Sequence, residues 1–497
     1  MNYIITREQM RYQDTRTIEE AGVASAILME TAGARCADLI LREYSLESFS
    51  DILVICGHGN NGGDGMVIAR HLYCAGHRTS IMLADPGPMS PETEANLMIC
   101  RNLDIPIYET DDASELDIED VTLIIDALYG IGFKGELKPN LQHMVASLDF
   151  CLCPKIAIDI PSGIDADTGT GTALKADLTI AIEEYKYGHF LAQGPTYCGQ
   201  LRVVPIGVPR IYKKDCHSFV LHPDDLTLTY REESAHKGQF GRVLLFGGSP
   251  DFPGSIMLSA KAALKSGAGL IYLYSRAENL MFYTGCAEIM PRAIPMESKG
   301  MPDQEALERV LNAATAIVVG PGMGQDAYAH KVLETVLKCS SVPTVIDADA
   351  ISLIARDPEL RELMDKEHFI LTPHKGEFCR LMNLVMEDLD KDLIAQIEAF
   401  RARHRCKLLL KDHRSIYADQ DRILVLVSGN DALATGGSGD VLSGIIASFA
   451  AQGLESHIAA SSASLLMGKT AEMLCQGRHS YSVRPSDIIE HLGDKDE

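Results

Sequence analysis

A few short stretches of this chain carry side chains whose types and spacing suit chemistry. In Ile55-Cys-Gly-His-Gly-Asn-Asn-Gly-Gly-Asp-Gly65, Gly57 to Gly62 read as G-x-G-x-x-G between an apolar run and an amphipathic helix. That is the setting in which the pattern cradles a dinucleotide pyrophosphate. Asn60, Asn61 and Asp64, however, bring polar side chains into a turn that a pyrophosphate approaches closely. Two more apolar runs end in polar residues. Leu123-Ile-Ile125 ends at Asp126, before Gly130-Ile131-Gly132-Phe133-Lys134-Gly135-Glu136, and Ile156-Ala-Ile158 ends at Asp159, before Pro161, Ser162 and Asp165. Amide oxygens, carboxylates and a hydroxyl on one rim suit a hard cation or a substrate hydroxyl. Glycine-loop amides suit phosphate. Each aspartate alone reads more readily as the cap of a following helix, and only the three together on one edge bring the two readings level. In the second half, Thr435-Gly-Gly-Ser-Gly-Asp440 feeds a helix N-terminus. Its free amides would form an anion hole for a transferring phosphoryl group, with Asp440 placed to take a proton from an attacking hydroxyl. A flexible turn with an N-cap is the plainer alternative.

Parallel strands are the elements that would bring such residues to one edge. Residues 7–45 have helical periodicity, with Gly22 separating two helices. Strand candidates follow at 51–56, 79–84, 121–126, 155–160 and 177–182, alternating with helices. The pattern loosens around 210–225, where a domain boundary is expected. A second series then runs 242–247, 270–275, 315–320, 343–348, 368–372, 407–411 and 422–428, ending in helices at 441–452 and 457–475. The expected domains are 1–215 and 216–497, both α/β, with ligands at the carboxyl ends of their strands.

Composition narrows the class. The chain has 497 residues, 46% of them hydrophobic and 23% charged, and a formal net charge of −24. These values fit two or three globular domains and speak against nucleic-acid binding, which needs basic surface. The 13 cysteines are scattered without C-x-x-C, so small buried thiols (Cys56, Cys74, Cys339) are expected rather than metal ligands or disulfides. The start has no apolar signal core, and no stretch reaches the roughly 18–20 apolar residues of a span. A cytoplasmic, reduced protein without membrane contact is expected.

The segments VICGHGNNGGDGMVIARHL, IIDALYGIGFKGEL and AIDIPSGIDADTG resemble, in that order, the NAD(P)HX epimerase family. Glu8-Gln-Met10 and Leu28-Met-Glu-Thr-Ala-Gly33 extend the likeness over about residues 1–210. It implies a Rossmann-like α/β/α domain that interconverts the R and S forms of hydrated NADH and NADPH (NADHX, NADPHX) at C6. It further implies that Asn60, Asn61, Gly62, Gly63, Asp64 and Gly130 to Glu136 (Gly130, Ile131, Gly132, Phe133, Lys134, Gly135, Glu136) embrace the nucleotide. By the same likeness Asn61, Asp126 and Ser162 bind potassium, and Asp159 contacts the hydrated ring and assists proton transfer.

The motif Asn430–Leu442, with its preceding strands and trailing helices, resembles the ribokinase-like superfamily. Gly247-Gly-Ser249, Pro253-Gly-Ser255, Ala262–Leu270, Gly320-Pro-Gly-Met-Gly324, Asp347-Ala-Asp-Ala350 and Leu371-Thr-Pro-His-Lys-Gly-Glu377 narrow the likeness to the ADP/ATP-dependent NAD(P)HX dehydratase branch, over roughly 225–495. The implied fold is ribokinase-like α/β/α, and the implied reaction is nucleotide-driven dehydration of the S epimer. Ser255, Gly322, His374 and Asp440 would contact the hydrated cofactor. Lys411, Asp412, His413, Arg414, Ser415 and Gly439 would contact ADP or ATP, with magnesium neutralising the phosphates. Two positions depart from the pattern. Lys411 to Ser415 stands where many relatives carry a Lys-Gly-x-x-Thr-like turn, and Ser255 stands where alanine is common.

The leading reading is therefore a bifunctional repair enzyme, expected as a homo-oligomer. Two other readings stay open. One is a kinase for a small hydroxylated metabolite with a regulatory N-terminal domain. The other is a nucleotide-binding module in which one or both sites have lost chemistry. A dehydrogenase with Asp85 gripping a ribose is disfavoured, because the sequence shows no separate hydride-acceptor machinery and Asn60, Asn61 and Asp64 crowd the turn.

Overall fold

In the strand Asp51–Cys56, Ile52, Val54 and Cys56 point one way, and Leu53 and Ile55 the other. This is the two-residue period of extended backbone. The first set joins Leu28, Ala32, Cys36, Met66 and Ile68 in one core, and the second joins Leu141, Met144 and Leu148 in another. Helices therefore cover both sides of the sheet, and each buried Leu, Ile or Val contributes about 1.5–3 kcal/mol. The computed structural model describes residues 2–44, 51–116, 118, 120–298 and 300–494. Its contacts divide the chain into two units that meet between Ser218 and Phe219 in sequence.

The N-terminal unit holds a wholly parallel sheet. Its strands run Ile107–Glu109, Arg78–Leu83, Asp51–Cys56, Leu123–Ala127, Lys155–Ile158, Leu178–Ile182 and Gln200–Val204 in spatial order. The chain leaves Asp51–Cys56 toward Arg78–Leu83 and later returns on the opposite side as Leu123–Ala127. That reversal opens a crevice outside the carboxyl ends of Asp51–Cys56 and Leu123–Ala127. The leading helix Arg7–Glu19 starts in a capping box between Thr6 and Gln9. Gly22, at φ +74°, turns the chain into the helix Ser25–Glu43. A Cβ on Gly33 would lie 2.4 Å from Val67 Cβ, so the helices Ser25–Glu43 and Asn60–Cys74 cross in near-backbone contact.

The C-terminal unit repeats the arrangement. Its sheet runs Ile289–Ala293, Leu270–Ser275, Arg242–Phe246, Ala316–Val319, Thr344–Ile346, Phe369–Leu371, Lys407–Leu410, Ser415–Ala418, Ile423–Leu426 and Ser218–Leu221. Pairing is parallel from Ile289–Ala293 through Lys407–Leu410 and antiparallel around Ser415–Ala418. Here the reversal lies between Arg242–Phe246 and Ala316–Val319, whose ends lead into Gly247-Gly248-Ser249 and Gly320 to Gly324. Against one face pack the helices Pro253–Lys265 and Ser438–Ala451. A Cβ on Gly444 would meet Ser259 O at 2.1 Å, and the Ser259 and Ser443 hydroxyls share a 3.2 Å hydrogen bond.

Some expectations need correction. Short strands at Asn2–Ile5, Ile107–Glu109, Tyr185–Lys186, Gln200–Val204, Ser218–Leu221, Ile289–Ala293 and Ser415–Ala418 fall outside the expected series. They are brief or lie at sheet margins, where alternation is too short to register. Asn60 to Asp64 form not a loop but the start of the helix Asn60–Cys74, capped by the backbone of Gly59. Cys74, expected to be buried, is exposed at the end of that helix. Part of 7–45 lies outside the described residues, at position 45. Among the described residues, no helix is long and apolar enough to cross a membrane.

The Gly444 contact yields a direct test. Gly444→Val forces the two helices apart and should destabilise the C-terminal unit by at least ~1–3 kcal/mol, read as a lower urea midpoint by circular dichroism.

Candidate functional site

The strand Lys155–Ile158 ends in a tight turn. Asp159 has φ +67°, and Ile160 N–H donates back to Ile158 O at 2.9 Å. A left-handed non-glycine residue closing a γ-turn is strained, and such strain gathers at functional sites. Here it swings the carboxylate out of the sheet line. Asp159 Oδ1 accepts from Lys186 Nζ and from Ile182 N–H at 3.3 Å, while Oδ2 accepts from Ile131 N–H at 3.4 Å. Lys186 is fully buried (0% exposed) and also donates to Ile182 O at 2.7 Å. His189 Nδ1 accepts from Lys186 N–H at 3.1 Å, so Nε2 donates to Asp159 O at 2.8 Å. Burial, and then the Lys186 charge, hold His189 down at about 4, so its ring is neutral at pH 7.

This pair lies in a cavity of about 680 Å³. Asn60, Asn61, Asp64, Gly130, Ile131, Gly132, Phe133, Lys134, Glu136 and Asp159 all line it. Gly62, Gly63 and Gly135 do not. A Cβ on Gly62 would strike Gly57 O at 1.9 Å, and one on Gly63 would strike Met29 at 2.7 Å, so these glycines let the helix sit against its surroundings. Burial and the neighbouring carboxylates of Asp159 and Asp14 raise Asp64 far above the usual carboxylate range. Asp14 and Lys186, absent from the sequence expectations, also line the cavity.

Asp126 and Ser162 form a buried knot beside it. Ser162 donates to Asp126 from Oγ at 2.5 Å and from N at 2.8 Å, and Leu128 N–H donates to Asp126 at 3.2 Å. Ser162 Oγ also accepts from Tyr129 N–H at 2.8 Å and lies 3.1 Å from Tyr129 O. One hydroxyl proton cannot serve both Asp126 and Tyr129 O, so oxygen lone pairs outnumber protons there, as a cation site requires. Asn61 donates Nδ2 to Ile158 O at 3.3 Å. The open face of Gly130 looks onto Asn61 Cγ and Asp159 Oδ2, each 3.2 Å from where a Cβ would stand. None of Asp64, Asp126 and Asp159 acts as a helix N-cap. Asp85 is engaged by Tyr129 OH and Lys138 Nζ.

In the C-terminal unit, the close approach at Gly444 and Ser259 continues one turn toward both helix starts. It sets Ser255 beside Asp440, with a hydrogen bond between their side chains. Gly437, at φ +102°, caps the helix Ser438–Ala451 without a side chain; Ser438 N–H donates to Thr435 O at 3.2 Å, and the Gly439 and Asp440 amides that follow are placed to meet an anion. Burial and Asp347 push Asp440 up to about 6, against the opposing pull of Ser255 and Lys411. Lys411 pairs with the buried Asp347 at 2.8 Å, and its Nζ lies 3.1 Å from where a Gly439 Cβ would stand. Gly322, at φ +59°, presents its open side to Phe252 O and Ser255 Cβ. Asp349 accepts from Gly324 N–H at 3.0 Å.

Ser255, Gly322, Lys411, Gly439 and Asp440 are therefore brought together. His374, expected as a contact of the hydrated cofactor, caps the helix Lys375–Met382: its Nδ1 accepts from Gly376 and Glu377 N–H, and Glu377 answers to its backbone N–H at 3.0 Å. It pairs by backbone with Lys411. Asp412 is tied to Lys375 at 2.8 Å. Past it the chain turns away, and Arg414 donates weakly to Gly429 O at 3.5 Å with its buried Nε unpartnered.

A family model described as NAD(P)H-hydrate dehydratase matches residues 243–493, and one described as YjeF-related protein N-terminus matches 25–188. The bifunctional NAD(P)H-hydrate repair enzyme Nnr of Moorella thermoacetica is 32% identical over 99% of this chain and 96% of its own length. The chain belongs to the bifunctional NAD(P)H-hydrate repair enzyme family. The Nnr protein of Coxiella burnetii is 31% identical over 99% of both chains. A crystal structure of a ribokinase-like superfamily protein from Enterococcus faecalis aligns with 55% of this chain and 94% of its own, at 30% identity and a TM-score of 0.50. The C-terminal unit of this repair-family chain is thus ribokinase-like, and the N-terminal unit carries the epimerase-type fold.

The buried ion pair has a measurable signature. Lys186→Met leaves Asp159 without its counter-charge and should cost the N-terminal unit about 3–5 kcal/mol. Lys186→Met with Asp159→Asn should recover most of that loss in urea melts followed by circular dichroism.

Proposed function

We propose that the N-terminal cavity interconverts the R and S epimers of hydrated NADH and NADPH, and that the C-terminal site dehydrates the S epimer at the expense of ADP or ATP. One observation carries the reading. A single chain, similar to repair enzymes over 99% of its length, holds an Asp159–Lys186 pair in one crevice and an Asp440–helix terminus pair in the other.

The hydrated ring carries a hydroxyl on C6, next to the ring nitrogen. In our reading Asp159 takes the hydroxyl proton as the C6–N1 bond opens to an aldehyde, its electron pair moving onto nitrogen, which gains a proton. Rotation and reclosure on the other face invert C6. Lys186 holds the carboxylate in place for this transfer. Asn61, Asp126 and Ser162, with Tyr129 O, are the residues that would hold potassium, whose charge would orient oxygen groups of the substrate.

At the second site, Asp440 accepts the C6 hydroxyl proton while that oxygen takes the terminal phosphoryl group of the nucleotide. Phosphate then leaves with the C6–O bond, C5 gives up a proton, and the C5=C6 double bond is restored. A phosphate leaves where hydroxide would not. The first-turn amides of the helix and Lys411 face the transferring charge. Among the described residues no three carboxylates gather into a metal cluster, so magnesium would enter with the nucleotide, where it would supply charge neutralisation to the phosphates. Substrate contacts by Gly322 and His374, and nucleotide contacts by Lys411 to Ser415 and Gly439, belong to the same proposal. So do the limits of the domains and a cytoplasmic setting.

Three outcomes are expected. With the S epimer, ADP and magnesium, Asp440→Asn abolishes recovery of NADH absorbance, while chromatography still shows interconversion of the epimers. Because Asp440 must be ionised to act as a base, the wild-type dehydration rate falls as pH drops through about 6. Ser255→Ala removes the hydrogen bond that favours the ionised form and moves this fall to higher pH. An Asp440→Asn chain that keeps the wild-type dehydration rate, or a profile that Ser255→Ala leaves unmoved, contradicts the role of Asp440.

A further inference from the structure

Ring opening at a carbon bearing both a hydroxyl and a nitrogen needs two proton transfers, one from oxygen and one to nitrogen, and Asp159 accounts for only the first. We propose that Asp14, on the helix Arg7–Glu19, is the second proton-transfer group of the epimerase cavity, working opposite Asp159. This rests on the epimerase reading above.

The geometry differs sharply between the two carboxyl groups. Asp14 lines the same cavity as Asp159, Lys186 and Asp64. Its Oδ1 is buried and has no hydrogen-bond partner among the described residues, whereas both Asp159 oxygens are engaged by Lys186, Ile182 and Ile131. Leaving a buried carboxyl oxygen unsatisfied costs about 1–3 kcal/mol, which folding alone does not require. An acid that must hold and release a proton at a ligand has that need.

The groups facing Asp14 come from several elements. They are Asp159, Glu183 and Lys186 beyond the strands Lys155–Ile158 and Leu178–Ile182, and Asp64 on the helix Asn60–Cys74. Arg11, one turn earlier on its own helix, also lines the cavity. Burial raises the Asp14 carboxyl to about 7, with Lys186 opposing and Asp159 and Glu183 reinforcing. At neutral pH a large share is therefore protonated beside a carboxylate paired with lysine, the division of labour an acid–base pair requires.

The step balances. Asp159 takes the hydroxyl proton, the O–H pair becomes the C6=O π bond, the C6–N1 pair goes to nitrogen, and Asp14 gives nitrogen its proton. On reclosure N1 attacks the other face, Asp14 recovers its proton, and Asp159 returns one to oxygen. No oxidant, reductant or net proton is consumed.

The test uses the full chain and the purified R epimer of hydrated NADH, scored by chromatography above the spontaneous rate. Asp14→Asn should lower kcat for epimerisation by roughly 100-fold or more, with KM changed less than about threefold, melting within about 4 °C of wild type and S-epimer dehydration unaffected. Wild-type epimerisation should weaken as pH rises through about 7, because the acid form is lost, and the residual rate of Asp14→Asn should lack that limb. An Asp14→Asn chain that keeps the wild-type kcat, loses only affinity, or keeps the alkaline limb (the proton then coming from another group such as Asp64) overturns the assignment. If the variant unfolds, a wild-type profile without the limb overturns it. A wild-type chain that interconverts nothing would instead refute the epimerase reading itself.

Discussion

Keeping carboxylates buried at the carboxyl ends of parallel strands is the constraint on which both units depend. A buried carboxylate is costly unless something compensates it. The chain supplies a different compensation at each position: Lys186 for Asp159, three donors for Asp126, Lys411 for Asp347 and a serine for Asp440. The compensation is partial at Asp14 and Asp440, which stay near about 7 and 6 respectively, where proton exchange at neutral pH is easy.

Glycine packing makes these positions reachable. Gly33 lets a helix lie against Val67, and Gly444 lets another lie against Ser259. Each close approach fixes the start of a helix relative to its neighbour: Asn60 to Asp64 over the first crevice, Ser255 and Asp440 over the second. The sites are thus consequences of helix–helix distance as much as of the strands, and a single Cβ in either contact would displace them.

Much of this was legible in the residues. Alternating apolar runs located the central strands within a residue or two, and Gly22 marked the break between the leading helices. The glycine motifs pointed to the crevices because switch-point loops need close backbone approach. Asp14 and Lys186 were not legible. Asp14 stands among charged residues of a largely polar helix, where aspartate is ordinarily solvated, and Lys186 follows two glutamates in Glu183-Glu-Tyr-Lys186. Only the fold brings them together. The capping role of His374 did have a local signal, the glutamate three residues on, which matches a capping box once histidine is allowed as the acceptor. Ile289–Ala293 escaped because Pro291 argues against a strand except at an edge, where it lies.

The central claim is that one chain makes both epimers of a hydrated cofactor recoverable. The most direct measurement gives it only the purified R epimer of hydrated NADH, with ADP and magnesium, and follows the NADH absorbance band. Full return of the band is expected with the wild-type chain. With Asp159→Asn the band returns no faster than spontaneous epimerisation allows, from a chain that still consumes the S epimer normally. A wild-type chain that restores the band from the S epimer but gains nothing over the spontaneous rate from the R epimer would contradict that claim.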